Sequence, residues 1–407
     1  MRSKRDIPMK ALQRADKLLG PAACALLQPL AWLRPPPPPA ARRVLAIKFW
    51  GVGSLQLLTP AAASLRRGHP GAELVLLTLA SNRAFAEALG CFDRVLTIEL
   101  PCAGWWHVAR RILSLFARLR REHFDEVYDF EFFTRFSAVV SLVCGAPRVH
   151  GFAAPGIWRG SFHTDVAPFN RYWHVARNFR SLAGGEDGAE IDPSQVAPLR
   201  FTQAEERLAA ARLSERGISS GTPYAVLNPN AGQLSLERRW PPGRFAELAR
   251  RLWDEDRLPV ALIGSPSERA YTQAVAAQAG RGPIADLSGE LSCGELAALL
   301  ARAAVVVTND SGPMHLAAAL GTPTVGLFGP ETPVMYEPLG RSARALYQPP
   351  PCSPCINVHD NKLASCIWGA PLCLVAIPVE AVLEAARALR RGEPARAGAT
   401  LAARVTR

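Results

Sequence analysis

The feature that most limits the fold is an alternation of short apolar runs with amphipathic stretches, which starts near Arg42, pauses mid-chain and starts again. The run Val44-Leu-Ala-Ile-Lys-Phe49 suits a strand buried on both faces. Gly51-Val-Gly53-Ser54 then turns the chain into a helix expected over 55–67. Further strands are expected at 73–78, 94–99 and 126–130. A helix over 106–121 gathers Val108, Ile112, Leu115, Phe116 and Leu119 on one face and Arg110, Arg111, Arg118 and Arg121 on the other. After Thr222 the pattern returns, with strands expected at 224–228, 259–263, 305–308 and 324–328 and helices near 243–254, 267–279, 293–302 and 313–320. Strands joined through helices pair in parallel, so each half is an α/β, doubly wound sheet. The halves are expected at 42–200 and 221–378, with 183–198 as the loosest joint. A closing helix is expected over 379–391, and a disordered basic tail over 392–407. Two such halves imply a cleft that serves two substrates.

Before Arg42 lies a separable arm, 1–41. Leu12, Ala15, Leu19, Ala22, Ala23 and Leu26 share a helical face opposite Lys10, Gln13, Arg14 and Lys17. Such a helix suits an anionic membrane surface, or docks on the protein's own body. The apolar stretch from Leu18 to Leu33 contains Pro21 and Pro29 and is shorter than the roughly 20 residues a membrane span needs. No small-residue cleavage site follows, only Arg34 and the stiff spacer Pro35 to Pro39. These features point to a cytoplasmic protein, peripheral on the inner face of the membrane, with reduced cysteines. The formal charge of +12 calls for an anionic partner. Nucleic acid is the weaker choice, because neither paired zinc-finger spacing nor an RNA-recognition signature is present.

Three stretches can carry chemistry. In Val305-Val-Val-Thr-Asn-Asp-Ser-Gly-Pro-Met-His315 a strand runs into a helix that Asp310 or Ser311 can cap and Pro313 can start. Gly312 lets a ligand approach, the helix N-terminus offers N–H groups to a diphosphate, and His315 can donate to a phosphate oxygen. An ordinary capped helix explains Asp310 and Pro313 but not His315 or the glycine turn. Arg238-Arg239-Trp240-Pro241 follows the loop Asn228-Pro-Asn230-Ala-Gly232 and offers two guanidiniums to a leaving diphosphate, unless they are simply solvated. Gly264-Ser-Pro-Ser-Glu268 places a carboxylate at a strand end, where it can bind ribose hydroxyls.

Taken in order, these stretches resemble a known series. Gly51-Val-Gly-Ser-Leu with Thr59-Pro60, the 228–232 and 238–241 segments, Gly264 to Glu268, Leu287-Ser-Gly289, Asn309 to His315, Gly321-Thr-Pro and Leu327-Phe-Gly-Pro330 resemble lipopolysaccharide heptosyltransferases of glycosyltransferase family 9. The resemblance spans about 42–390, and the 310–315 motif with 327–330 is its most specific part. It implies a GT-B fold of two Rossmann-like domains. It also implies inverting transfer from an ADP-heptose-like donor to lipopolysaccharide or a related anionic glycolipid. Arg238 falls where the family has a diphosphate-contacting lysine. Glu268, Asp310, Ser311, Gly312 and His315 fall on other donor positions, and Leu291 on an apolar one; Asn230 and Arg239 complete the donor set. Arg110, Arg111, Arg118 and Arg121 lie in the half that receives the acceptor, although a solvated face explains them equally.

One position departs from the series. Where the family has Gly-Asp, with the aspartate as general base, this chain has Ser54, whose hydroxyl cannot take a proton at neutral pH without activation. Asp129 and Glu131 are candidate replacements, Glu131 the better one because Asp129 sits where the family often has a structural aspartate. Cys352, Cys355, Cys366 and Cys373 have spacing that could hold a structural zinc or form a labile disulfide. The family often carries similar cysteines, and the transfer needs neither zinc nor another cofactor. A nicotinamide dehydrogenase is excluded twice over: Gly51-Val-Gly53 lacks the third glycine, and no acid ends the second strand. A nucleotide-sugar binder without catalysis, and a transferase for another surface polysaccharide, remain open.

Overall fold

A computed structural model describes residues 9–100, 104–154, 156–185, 189–232, 235–280, 282–356 and 366–393. Described residues up to Glu190 form one compact unit and those from Ile191 onward a second. The expected tail falls almost wholly outside the described residues, as do 1–8 of the arm and most of the gap before Cys366.

The first unit opens with α1 (Met9–Leu27) and a 3-10 turn over Gln28–Leu33. There follow β1 (Arg43–Ile47), α2 (Val52–Leu57), α3 (Thr59–Gly68), β2 (Glu73–Leu79), α4 (Arg83–Leu89), β3 (Arg94–Ile98), α5 (Trp105–Glu122), β4 (Glu126–Asp129), α6 (Arg135–Val143), β5 (Arg148–Ala153), β6 (Asp165–Pro168) and α7 (Val175–Leu182). All strand pairs are parallel, in the order β3-β2-β1-β4-β5-β6. Buried Leu45, Ile47, Val75, Leu77 and Val127 fill the core against Leu115 and Leu119 of α5. The helix expected over 55–67 is two helices, because Pro60 has no N–H to carry the ladder through the joint. The arm is not separate over its described residues: α1 packs on α6.

The second unit carries α8 (Gln203–Ser214), β7 (Ala225–Asn228), α9 (Pro242–Asp256), β8 (Val260–Leu262), α10 (Arg269–Ala279), β9 (Ile284–Asp286), α11 (Cys293–Ala301), β10 (Val305–Asn309), α12 (Gly312–Ala319), β11 (Thr324–Phe328), α13 (Pro333–Tyr336), β12 (Ala343–Tyr347), α14 (Leu372–Val375) and α15 (Val379–Arg390). Its parallel sheet runs β12-β11-β10-β7-β8-β9, so both sheets reverse direction beside their first strand. Ligands of doubly wound sheets bind at that reversal, outside the carboxyl ends of the strands. The reversal lies between β1 and β4 in the first unit and between β7 and β10 in the second, and every expected catalytic and donor motif but two lies at the carboxyl end of one of these strands or in the loop and first helical turn that follow it. The two exceptions, the Gly264 to Glu268 loop and Leu291, follow β8 and β9.

Candidate active site

In the second unit the loops after β7 and β10 are locked together by side-chain amides. Asn309, fully buried, donates through Nδ2 to the Pro229 carbonyl at 2.9 Å and accepts the Trp240 N–H at 2.9 Å through Oδ1. Trp240, also fully buried, donates its indole N–H to the Ile377 carbonyl at 3.0 Å. This anchor fixes the two arginines that precede it. Arg238 spans the two loops, donating to the Ala231 carbonyl at 2.7 Å, the Asp310 carbonyl at 2.8 Å and Asp310 Oδ2 at 3.2 Å. The Arg239 guanidinium lies 4.0 Å from the Tyr271 ring centroid and 3.8 Å from Glu268 Oε1. Neither is a solvated surface arginine; their side chains are 13% and 16% exposed.

Ser311 occupies the N-cap position of α12 in extended conformation, yet its hydroxyl does not cap the helix. It is held by Asn228 Nδ2 at 2.9 Å and Thr308 Oγ1 at 3.0 Å. The Asp310 carboxylate is likewise turned to Arg238, so the expected cap by either side chain does not form. Pro313 brings no N–H and Met314 N donates to the Ser311 carbonyl at 3.1 Å, so the Gly312 N–H and the helix dipole are what this end of α12 offers a diphosphate. Pro313 stands in the first turn as expected, and His315, buried, lies one turn in.

Glu268 closes the other side. Its Oε2 accepts from Ser265 N at 2.9 Å and Ser265 Oγ at 2.7 Å, and its Oε1 accepts the Gly232 N–H at 3.1 Å. Expected as a ribose ligand, it is placed as a brace between the β7 and β8 loops. Asn230 fixes the same junction, donating to the Ile263 carbonyl and Thr272 Oγ1, both at 3.0 Å. Gly264 is required there, because an added Cβ would stand 2.5 Å from Asn230 Nδ2. Leu291 is half-buried. Asn309 and Trp240 stood inside the expected motifs without an assigned role, and Tyr271 carried no signal in the sequence.

In the first unit, Gly51 takes a φ of +80° and starts α2 without a side-chain cap, and Ser54 is half-buried one turn on. Glu131, fully buried, accepts at Oε1 from Lys48 Nζ at 2.8 Å, Phe49 N at 2.7 Å and Trp50 N at 3.0 Å. Three donors on one oxygen make this carboxylate a clamp on the chain leading into the Ser54 turn. Asp129, equally buried, pairs with Arg159, accepts from Ser137 Oγ at 3.0 Å and Glu131 N at 3.1 Å, and lies 3.4 Å from His163 Nε2. Burial alone would raise its pKa, but the Arg159 charge and the His163 contact outweigh burial and bring it below the usual carboxylate range. Burial pushes the His163 imidazole the other way for a base, to a lowered pKa. As placed, both carboxylates face their neighbours, whereas a general base must come within hydrogen-bond reach of the acceptor hydroxyl. Arg159 and His163 carried no signal in the sequence.

Arg110, Arg111, Arg118 and Arg121 are brought together on the exposed side of α5, with Arg111 paired to Glu99. Cys352, Cys355, Cys366 and Cys373 are free thiols, and burial pushes Cys373 up to about 11, so it is protonated at neutral pH. Among the described residues no group of three or more His, Cys, Asp or Glu side chains is arranged to hold a metal ion, so the zinc expectation gains no geometric support.

Residues 112–364 match the family model for glycosyltransferase family 9 (heptosyltransferase). The chain belongs to glycosyltransferase family 9. This family-9 chain is 34% identical over 378 residues to lipopolysaccharide heptosyltransferase 1 of Pseudomonas aeruginosa, covering 86% of this chain and 100% of that one. It is 28% identical over 291 residues to lipopolysaccharide heptosyltransferase 2 of Escherichia coli, covering 68% and 78%. Among solved structures, E. coli ADP-heptose lps heptosyltransferase II superposes with a TM-score of 0.67 at 24% identity, over 86% of this chain and 99% of that one. The enzyme is thus a glycosyltransferase of GT-B fold, built from two Rossmann-like units.

Proposed function

We propose that this glycosyltransferase moves a heptose from ADP-heptose to the core of a lipopolysaccharide, with inversion at the anomeric carbon. The observation that carries the donor half is the Arg238–Asp310 bridge beside the uncapped N-terminus of α12. Guanidinium, helix dipole and the Gly312 N–H converge where a leaving diphosphate gathers charge, and stabilising that charge is the main work of such a site. The identity of the sugar is supported by the relatives, which are heptosyltransferases by name. His315 joins Arg238 and Arg239 in binding the diphosphate, and Asp310 is the acceptor for a sugar hydroxyl.

On the acceptor side, Ser54 occupies the place of the family's aspartate, and Glu131 positions its turn rather than taking the proton. The arginines of α5 meet the anionic groups of the glycolipid. Among the described residues no helix is long and apolar enough to cross a membrane, and we infer that the enzyme works peripherally on the cytoplasmic face, where such an acceptor is held. The four cysteines play no part in transfer; a structural zinc among them would show as stoichiometric metal in the purified protein. The donor reading is tested by thermal shift with ADP, UDP, GDP and CMP. A rise in melting temperature for ADP above the others is expected, and a response to UDP alone would assign a different sugar.

A further inference from the structure

Helix α1 docks through an unexpected side. Gln13, Asp16, Gly20, Cys24 and Leu27 form one stripe at helical spacing, and this stripe faces α6. Asp16 caps that helix, accepting from Thr134 Oγ1 at 3.1 Å and from the N–H groups of Arg135 at 3.1 Å and Phe136 at 2.7 Å. At Gly20 an added Cβ would come within 2.6 Å of Arg135 Cδ, and Cys24 is buried with Ala138, Leu142 and Phe162. Ser161 donates its N–H to Gln28 Oε1 at 2.8 Å, and Arg34 donates to the Phe162 carbonyl. Polar and small residues with Leu27 and Leu12 thus hold the arm, and most of its other large apolar residues point away. Leu18, Leu19, Leu26, Trp32 and Leu33 are each 67–81% exposed.

Helix α5 adds to this surface. It touches α1 where Val108 and Ile112 meet Ala11 and Leu12. Its own outer face alternates Trp106 and Leu113, 80% and 66% exposed, with Arg110 and Arg121. Each of the two helices contains a single acidic residue, and neither is available on the outer face. Asp16 is turned to α6, and Glu122 is paired with Arg94 at 2.7 Å.

We propose that the outer faces of α1, the 3-10 turn after it and α5 form a docking surface for an anionic lipid bilayer, with the leucines and tryptophans entering the headgroup region. The charge pattern chooses the occupant. Exposed leucine and tryptophan among arginines, with no outward carboxylate on either helix and Glu99 beside α5 already paired with Arg111, complement anionic headgroups over an apolar interior. A second copy of this chain would set the same arginines against themselves. The surface deepens the proposed function, since it rests on the reading that the acceptor is a membrane glycolipid and accounts for how the enzyme reaches it.

The test compares the full chain with the triple variant Leu19→Glu, Leu26→Glu, Trp32→Ala in flotation with two kinds of vesicle. One is phosphatidylethanolamine with phosphatidylglycerol, the other phosphatidylcholine alone. The native chain is expected to float with the anionic vesicles and to weaken as salt rises. The variant is expected to bind about a hundredfold more weakly, with melting temperature and solution mass unchanged. Equal flotation of variant and native, no flotation of the native chain with anionic vesicles, or a native dimer that the variant splits would each overturn the proposal. Sugar transfer to a detergent-dispersed acceptor, run in parallel, separates the two readings: its absence with flotation intact counts against the proposed function and leaves the docking surface supported.

Discussion

Arg238→Ala removes three hydrogen bonds at once, to the Ala231 carbonyl, the Asp310 carbonyl and Asp310 Oδ2. Hydrogen bonds of a charged group contribute about 1.5–3 kcal/mol each, but single truncations are not additive, and water can reach part of this side chain. A net loss of about 2 kcal/mol is expected, which lowers the melting temperature of a unit this size by about 5 °C. The same truncation takes one guanidinium from the diphosphate, so ADP should bind roughly ten- to a hundredfold more weakly. Arg238→Lys separates the two effects. An ammonium keeps the charge but cannot reach Ala231 and Asp310 together as a planar fork does. That variant should recover most of the ADP affinity while keeping the lowered melting temperature. Calorimetric titration with ADP and a melting scan of the three proteins are sufficient. If Arg238→Ala bound ADP within about twofold of the native affinity, the placing of the diphosphate beside this bridge would be refuted.

Glu131→Gln leaves the buried Lys48 ammonium without its counter-charge and is expected to cost about 3–5 kcal/mol of stability, read by denaturant unfolding; a stable variant that had lost only transfer would instead mark Glu131 as the base. The Asp129 and His163 pair predicts loss of stability in acid. The lowered pKa of Asp129 gives stability present above its unfolded value of about 3.9 and lost as pH falls through the folded value. His163, kept neutral by burial, also penalises folding as pH drops below its unfolded value of about 6.5. His163→Gln should therefore flatten the stability profile between that pH and the lowered folded pKa, and an unchanged profile would contradict the assignment. Incubation with a chelator should leave both transfer and the ADP-induced thermal shift unaltered; loss of transfer restored by a metal ion would show a metal requirement.

The fold was legible where strands are apolar on both faces. The runs that became β1, β2, β7, β10 and β11 sit inside their sheets and bury nearly every side chain. The strands absent from the sequence reading lie away from the sheet centre or are very short. β6 is an exposed edge ending in Pro168, β9 has three residues, β12 carries Arg344, and β5, whose ends are exposed, pairs with that edge. The donor site was legible as motifs because its backbone loops follow directly from strand ends. Its side-chain roles were less so, because they depend on partners far along the chain. Trp240 meets the carbonyl of Ile377 across 137 positions, and Arg239 finds Tyr271 only once α10 is packed. Glu131 looked like a free carboxylate after a strand, and only the register of β4 beside β1 shows that it answers Lys48. For the arm, periodicity identified the apolar face but not the face that docks, since that was decided by Asp16 finding the open N-terminus of α6.

The central claim is tested most directly by supplying ADP-heptose and a heptose-deficient lipopolysaccharide core to the purified protein and following ADP release together with the glycolipid product. The account predicts ADP formed in step with a heptose added to the core, its anomeric configuration opposite to that of the donor. It also predicts that UDP- and GDP-sugars are poor substitutes. No ADP release with this pair, alongside turnover of a UDP- or GDP-sugar, would contradict it.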